Sequence, residues 1–138
     1  AAAESWAMKL ASVPGEAGRA YVLRGNILAQ QGKLDLALRA YEASRRAEPQ
    51  QVEAYLREAE LRVAAKEGPR ARELLDALRK IDVRASAELR FALTLARAYD
   101  LEKNPGPALR EWRFVLSRQP GHAEALERER VLKDQVEP

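Results

Sequence analysis

The chain repeats one residue pattern at nearly regular intervals, and this period restricts its fold more than any other feature. In each copy an alanine stands four positions before a large apolar residue, and a proline or valine follows eight positions later. The copies are Ala2–Trp6–Pro14, Ala37–Tyr41–Pro49, Ala71–Leu75–Val83 and Ala108–Trp112–Pro120. The large residues are 35, 34 and 37 positions apart. A period of this length predicts a stack of repeated helical units.

A second pattern accompanies the last three copies. A small residue, Gly25, Ala59 or Ala96, stands twelve positions before the alanine. Residues three and four apart share one face of a helix, so the alanine and the large residue lie together on one helix. A small residue on the neighbouring helix leaves space for that large side chain. The two patterns together predict pairs of packed helices.

The segment from Ala20 to Pro49 resembles a tetratricopeptide repeat. The family's residues appear in its order, as Tyr21, Gly25, Gly32, Ala37, Tyr41 and Pro49. The likeness is weaker in the second repeat, where Glu58 and Arg62 occupy slots that are usually apolar. The resemblance implies an all-α fold, a right-handed superhelical solenoid of antiparallel helix pairs. It has about three full repeats and a flanking helix at each end.

The resemblance divides the chain into parts of one solenoid domain, residues 1–138. We expect the second helix of a preceding repeat, three repeats and a capping helix, at residues 1–15, 17–50, 51–84, 86–121 and 122–138. Helices are expected near residues 2–12, 17–31, 35–47, 52–66, 69–80, 86–102, 106–117 and 122–135. Tight turns are expected at Gly32, Gly68 and residues 104–106, with a longer turn at residues 82–87. Because the pattern opens inside a second helix, we expect a fragment of a longer bacterial array. The alternative is a lone N-terminal helix that packs on the stack.

The composition predicts no catalytic, cofactor or metal site, and we do not expect an enzyme. The chain has no cysteine and one histidine, His122, which is too few for a zinc site of the usual ligand types. No stretch reaches the roughly 20 apolar residues of a membrane helix, so we expect no direct membrane insertion of this fragment. The absence of cysteine fits both the cytoplasm and the bacterial periplasm.

The resemblance implies that the first helices line a concave face that binds a partner protein or peptide. The expected partner-binding residues are Arg19, Val22, Asn26, Glu53, Leu56, Glu60, Val63, Arg90, Leu93 and Arg97, with Ala29 and Asp100 extending the set. Val22, Leu56 and Leu93 would form an apolar stripe along this face. The alternative is that these three pack between neighbouring helices, because a shift of one position moves a side chain from groove to core.

Some family members hold a peptide's terminal carboxylate with a lysine and an asparagine. Asn26 matches one of these positions, but Val22 occupies the lysine position, which argues against such a clamp. The acids Glu53, Glu60 and Asp100 argue against nucleic acid as the partner, since the phosphate backbone is negative.

Two functions follow from these expectations. One is an interaction scaffold within a larger bacterial assembly, such as an envelope or exopolysaccharide-export protein. The alternative is a structural spacer or self-association element with no groove ligand. Its contacts would come from the end helices, through Trp6 and Leu10 at one end and Leu126 and Leu132 at the other.

Overall fold

A computed structural model describes residues 2–138, with side chains from Ser5 onward, so the side chain of Ala2 lies outside the described part. The helices are α1 (Ala2–Ala11), α2 (Ala17–Gln30), α3 (Leu34–Ala47), α4 (Val52–Ala64), α5 (Gly68–Ile81), α6 (Leu89–Leu101), α7 (Pro105–Arg118) and α8 (Ala123–Val136). Residues 2–138 contain no strand, so the predicted all-α class is confirmed. None of the helices in this range is both long and apolar enough to cross a membrane.

The chain forms two compact units, Ala1–Leu61 (unit 1) and Arg62–Pro138 (unit 2), and the division falls within α4. In unit 1, α1 packs against α2, and α2 packs against α3. In unit 2, α5 packs against α6, α6 against α7, and α7 against α8. Each unit therefore consists of helices that contact their neighbours in the sequence.

The turns after α2, α4 and α6 each place one residue in the left-handed backbone region. These residues are Gly32, Lys66 and Lys103, with φ angles of 75°, 63° and 55°. Gly32 was expected in a turn, but Gly68 is instead the first residue of α5. A Cβ atom on Gly68 would lie 2.8 Å from the carbonyl oxygen of Ala98. This glycine therefore allows α5 to approach the backbone of α6.

The predicted contact between small and large residues is present in both units. In unit 1, Tyr41 is 1% exposed and its ring lies against Gly25. In unit 2, Ala96 and Trp112 are fully buried in one apolar cluster. The spacing of small and large residues therefore correctly predicted that these residues pack between paired helices.

The longer turn expected at residues 82–87 is a short 3₁₀ helix, Val83–Ala87, and α6 begins at Leu89 rather than near residue 86. Asp82 starts this helix, because its carboxylate accepts a hydrogen bond from the backbone N–H of Arg84 at 3.0 Å. Such a cap satisfies a donor that the helix itself leaves unpaired.

Candidate functional site

A groove of about 540 Å³ lies between α2 and α4 in unit 1. We call it the α2–α4 groove. Its lining residues are Leu23, Asn26, Ile27, Ala29, Gln30, Tyr41, Arg57, Glu60 and Leu61. The structure thus brings together two of the predicted partner-binding residues, Asn26 and Glu60. Ala29, which was expected to extend that set, lines the same groove.

The α2–α4 groove combines an apolar lining with hydrogen-bonding groups. Leu23, Ile27 and Leu61 supply most of its apolar side chains. The hydroxyl of Tyr41 donates to Asn26 Oδ1 at 2.6 Å. An amide carries two hydrogens on Nδ2, so Asn26 can donate these to a carbonyl oxygen while Tyr41 fixes its orientation.

The charges in this groove balance. Arg57 and Glu60 are the charged residues of its lining. Arg57 Nε also lies 3.3 Å from Glu53 Oε2 on the same helix, and both side chains are about half exposed. Glu53, a predicted partner-binding residue, therefore borders the groove through Arg57 without lining it.

Two residues of the predicted apolar stripe are in the core. Val22 is 6% exposed and Leu56 is 3% exposed. The prediction that they form an exposed stripe is wrong, and the alternative, that they pack inside, is correct for both. Leu23, which does line the groove, is one position further along α2 than the expected Val22. Neighbouring side chains on a helix of 3.6 residues per turn point about 100° apart. This angle is enough to place one of them in the groove and the next in the core.

Arg19 is exposed and does not line the α2–α4 groove. Its guanidinium lies 3.9 Å from Glu16 Oε2. This is a surface ion pair of the kind that contributes little to stability.

A smaller groove of about 270 Å³ lies in unit 2, and we call it the α6–α8 groove. Its lining residues are Val63, Lys66, Arg97, Asp100, Leu101 and Glu124. It contains the predicted residues Val63 and Arg97. Arg97 Nη2 donates a hydrogen bond to Glu124 Oε1 at 2.6 Å, so the guanidinium already forms an ion pair with a carboxylate of α8.

Asp100 borders the same groove and joins three helices. Its Oδ2 accepts a hydrogen bond from Trp112 Nε1 at 2.9 Å and another from Arg128 Nε at 2.9 Å. The hydrogen bond to Asp100 raises the pKa of Arg128 above its ordinary value. Asp100 therefore holds α8 to the pair formed by α6 and α7.

The other predicted residues of α6 do not line the α6–α8 groove. Leu93 is half-buried and packs against the cluster around Trp112. Arg90 is half-buried, and its backbone carbonyl accepts the Thr94 hydroxyl at 2.8 Å. The exposed stripe that was expected to continue through Leu93 is therefore partly core here as well.

Comparison with known proteins agrees with this architecture. A sequence model of the family described as tetratricopeptide repeat matches residues 28–90. Residues 28–90 are therefore similar in sequence to tetratricopeptide repeats. No curated protein sequence matches it.

Among solved structures, 38 chains are similar to this chain. One of them is the first tetratricopeptide-repeat domain of Spaghetti (RPAP3) bound to the HSP90 peptide SRMEEVD. The TM-score is 0.78 and the sequence identity is 17%, over 91% of this chain and 98% of that chain. At this identity the likeness shows the fold, and it confirms the predicted solenoid of helix pairs.

The single histidine of the chain has a structural contact. His122 precedes α8, and its Nδ1 accepts a hydrogen bond from the backbone N–H of Ala125 at 3.2 Å. The side chain thus caps the helix. Within the described residues, no group of three His, Cys, Asp or Glu side chains is placed to hold a metal ion.

Sequence reasoning missed six lining residues of the α2–α4 groove, namely Leu23, Ile27, Gln30, Tyr41, Arg57 and Leu61. The signal for the α2 members was available. Leu23, Asn26 and Ile27 are spaced by three and four positions, with Gln30 three further on, and this is the spacing of a single helix face.

Proposed function

We propose that this chain is a protein-interaction module whose α2–α4 groove binds a peptide or an exposed segment of a partner protein. The observation that carries the proposal is the groove of about 540 Å³, which contains Asn26 and Glu60. Its mixture of apolar surface and a few oriented polar groups is typical of ligand sites. The similar domain of Spaghetti was solved with a bound peptide, which supports a ligand of this class.

The lining residues define the chemistry of the segment. Leu23, Ile27 and Leu61 would contact an apolar side chain, and the Asn26 amide would donate to a backbone carbonyl. Arg57 and Glu60 together carry no net charge, so the segment needs no strong net charge of its own. Val22 is buried where a lysine would hold a terminal carboxylate. We therefore propose an internal segment rather than a chain terminus.

The experiment is selection of a displayed library of random peptides on the 138-residue chain, followed by affinity measurements with two matched variants. Ala29→Arg places a long side chain in the groove, whereas Ala47→Arg makes the same change at an exposed position of α3 outside it. We expect selected peptides to lose affinity by about tenfold or more for Ala29→Arg, because the added side chain fills the site. Equal affinity for both variants would place the binding site elsewhere.

The wider role stays a hypothesis from the sequence. We propose a scaffold with no catalytic step of its own, which would dock other proteins within a larger assembly. A bacterial envelope or exopolysaccharide-export complex is one setting for such a scaffold. Identifying the natural proteins that carry the selected peptide motif would test that setting.

Self-association is a second candidate, because two apolar side chains near the chain ends are exposed. Trp6 is 63% exposed and Leu126 is 48% exposed. Leu132, also expected at such a contact, is in the core at 3% exposure. Light scattering across a concentration series decides between the candidates. A rise in mass that Trp6→Ser and Leu126→Ser abolish would favour self-association, and a constant monomer mass would exclude it.

A further inference from the structure

A second depression of unit 1 lies between α2 and α3, and we call it the α2–α3 groove. Its volume is about 200 Å³, and it shares no lining residue with the α2–α4 groove. The α2 side is lined by Tyr21, Arg24 and Leu28. The α3 side is lined by Leu36, Arg39, Ala40 and Ala43. In each set the residues follow one another at the spacing of a single helix face, so two helix faces form the walls.

The α2–α3 groove is open because α3 has two small residues where each later second helix has a large apolar one. The repeated alanines align Ala40 with Leu74 of α5, and Ala43 with Phe114 of α7. Leu74 is buried, and Phe114 packs against the apolar cluster around Trp112. The space therefore follows from the residue types of this repeat, and the other repeats do not share it.

The next repeat shows which group complements a charge at this place. Its counterparts of Tyr21 and Arg24 are Tyr55 and Glu58. The guanidinium carbon of Arg45 lies 5.4 Å from the centroid of the Tyr55 ring, and Arg45 Nε donates to Glu58 Oε1 at 2.9 Å. The first repeat keeps the tyrosine and reverses the charge, so the complementary group there is a carboxylate rather than a guanidinium.

The polar groups of the α2–α3 groove suit an anion. Among the described residues, its lining contains two arginines and no aspartate or glutamate. Arg24 Nη1 contacts Met8 Sδ at 3.2 Å, whereas Arg39 is exposed and forms no ion pair within the described part of the chain. A guanidinium can bind a carboxylate through two parallel hydrogen bonds, and the hydroxyl of Tyr21 can donate another. Leu36, 47% exposed, adds an apolar wall beside these donors.

We propose that the α2–α3 groove docks an acidic segment of a partner protein, in which an aspartate or glutamate lies close to a leucine or another aliphatic residue. The carboxylate binds Arg39 and the Tyr21 hydroxyl. The aliphatic side chain packs against Leu36, in the space that Ala40 and Ala43 leave open. This site is separate from the α2–α4 groove and does not depend on the function proposed for that groove.

A second copy of this chain is a poorer occupant than an acidic partner. The chain has a formal net charge of +3, so two copies repel each other, whereas an acidic protein is attracted. An exposed leucine beside a glutamate does occur on α8, at Leu126 and Glu127. The carboxylate of Glu127 already pairs with Arg130 at 2.6 Å, so docking would have to break that ion pair.

The test selects peptides from a displayed random library on the 138-residue chain, after the library has been depleted on Ala43→Phe. This variant places in the first repeat the residue type that the third repeat has as Phe114, and circular dichroism checks its fold. Leu36→Glu, at an exposed position, replaces it if it does not fold. Depletion removes peptides that bind elsewhere, including the α2–α4 groove. We expect the recovered peptides to share an acidic and an aliphatic residue. They should bind Ala43→Phe about tenfold more weakly or worse, because the ring fills the space.

A charge exchange then tests the role of Arg39. Arg39→Glu should weaken the recovered peptides by about fivefold or more, and a peptide with lysine in place of its acidic residue should regain affinity for that variant. Arg46→Glu, the same change at an exposed position of α3 outside the groove, should alter the affinity by less than about twofold. If no recovered peptide depends on both Ala43 and Arg39, the proposal is wrong. A particle mass that rises with chain concentration, and that Ala43→Phe returns to the monomer, would overturn it in favour of a second copy.

Discussion

A Cβ atom on Gly25 would lie 2.5 Å from Cε1 of Tyr41, far inside the contact distance of two carbon atoms. The ring cannot easily move away, because Tyr41 is 1% exposed and its hydroxyl is held by Asn26 Oδ1 at 2.6 Å. The pair therefore fixes the distance between α2 and α3. It also orients Asn26, which lines the α2–α4 groove.

We predict that Gly25→Ala destabilises the chain by about 1–3 kcal/mol, the usual range for overpacking a core. Alanine is otherwise the better helix former by up to about 1 kcal/mol. Gly106→Ala is the matched control, since this glycine lies in α7 and a Cβ atom there would meet nothing within 4 Å. Urea denaturation of both variants gives the comparison. Equal stabilities would show that the α2–α3 contact is loose.

The contact of Gly25 with Tyr41 could be predicted from the sequence because two residues of extreme size recur at a constant separation. Chance seldom maintains such a pairing over several repeats, so the pattern reports packing. The same reasoning located Ala96 and Trp112 in one cluster.

The groove residues were harder to predict for a physical reason. Val22 and Leu23 are both apolar and adjacent on α2, and the sequence does not say which of them faces the core. The structure buries Val22 and places Leu23 in the groove. The partners of buried charges were equally out of reach, since the residues concerned belong to different helices and have no fixed spacing.

Glu58 is such a charge, and Arg45, one of its partners, gives a second prediction. The side chain is 1% exposed, and Arg45 Nε donates to its Oε1 at 2.9 Å. Arg45→Ala removes the guanidinium that faces this buried carboxylate, and we expect a loss of about 3–5 kcal/mol in the free energy of unfolding. The double variant Arg45→Met/Glu58→Leu should be nearly as stable as the wild type, because an apolar pair of similar volume needs no charge compensation.

Chemical denaturation of the single and double variants tests this coupling. A double variant as unstable as Arg45→Ala would mean that the pair contributes packing shape rather than charge compensation.

Asp100 gives a third prediction, because its carboxylate joins Trp112 and Arg128. Asp100→Asn keeps the size of the side chain but removes the charge that Arg128 contacts through two nitrogens, at 2.9 and 3.0 Å. We expect a loss of about 1.5–3 kcal/mol, the range for hydrogen bonds to charged groups. The Trp112 fluorescence should change as well, which a general loss of stability would not produce in the folded state.

The control for Asp100→Asn is Glu127→Gln. This change alters an exposed ion pair between Glu127 and Arg130, which both belong to α8. Its melting temperature should stay close to that of the wild type, since exposed pairs contribute little. Similar losses from both changes would remove any special role for Asp100.

Glu111 gives a prediction about pH. Burial raises the pKa of this carboxyl, and Arg79 and Arg110 offset the effect in part. Between the ordinary glutamate pKa and the raised value, the folded chain binds more protons than the unfolded chain, so stability falls as pH rises through that window. Glu111→Gln should therefore be more stable than the wild type at neutral pH, and the difference should vanish below about pH 4.

Thermal melts of wild type and Glu111→Gln from pH 3 to pH 8 measure this difference. Glu127→Gln provides a control of opposite sign, because the hydrogen bond from Arg130 lowers the pKa of Glu127. Because this pair is exposed, any loss of stability in Glu127→Gln should be small, and it should be present at neutral pH and disappear as the pH falls. A Glu111→Gln difference that does not vary with pH would show that the carboxyl is not desolvated in the folded chain.

The last prediction separates a packing residue from a surface residue in unit 2. Ala71 is fully buried at the repeated alanine position, and Ala71→Arg should unfold the chain, since it introduces both volume and charge into the core. Arg97 and Glu124 have side chains that are 40% and 42% exposed. Arg97→Ala should therefore cost less than about 1 kcal/mol, the range for exposed pairs, and leave the fold intact.

Arg97 was also predicted to contact a partner, and the same variants test that prediction. If a partner also contacts the α6–α8 groove, Glu124→Ala should release Arg97 from its ion pair and strengthen binding of an acidic test peptide at that groove, whereas Arg97→Ala should weaken it. Circular dichroism reports the fold, and titration with the peptide reports the binding. If Ala71→Arg and Arg97→Ala lost the same stability, the assignment of core and surface in this repeat would be wrong.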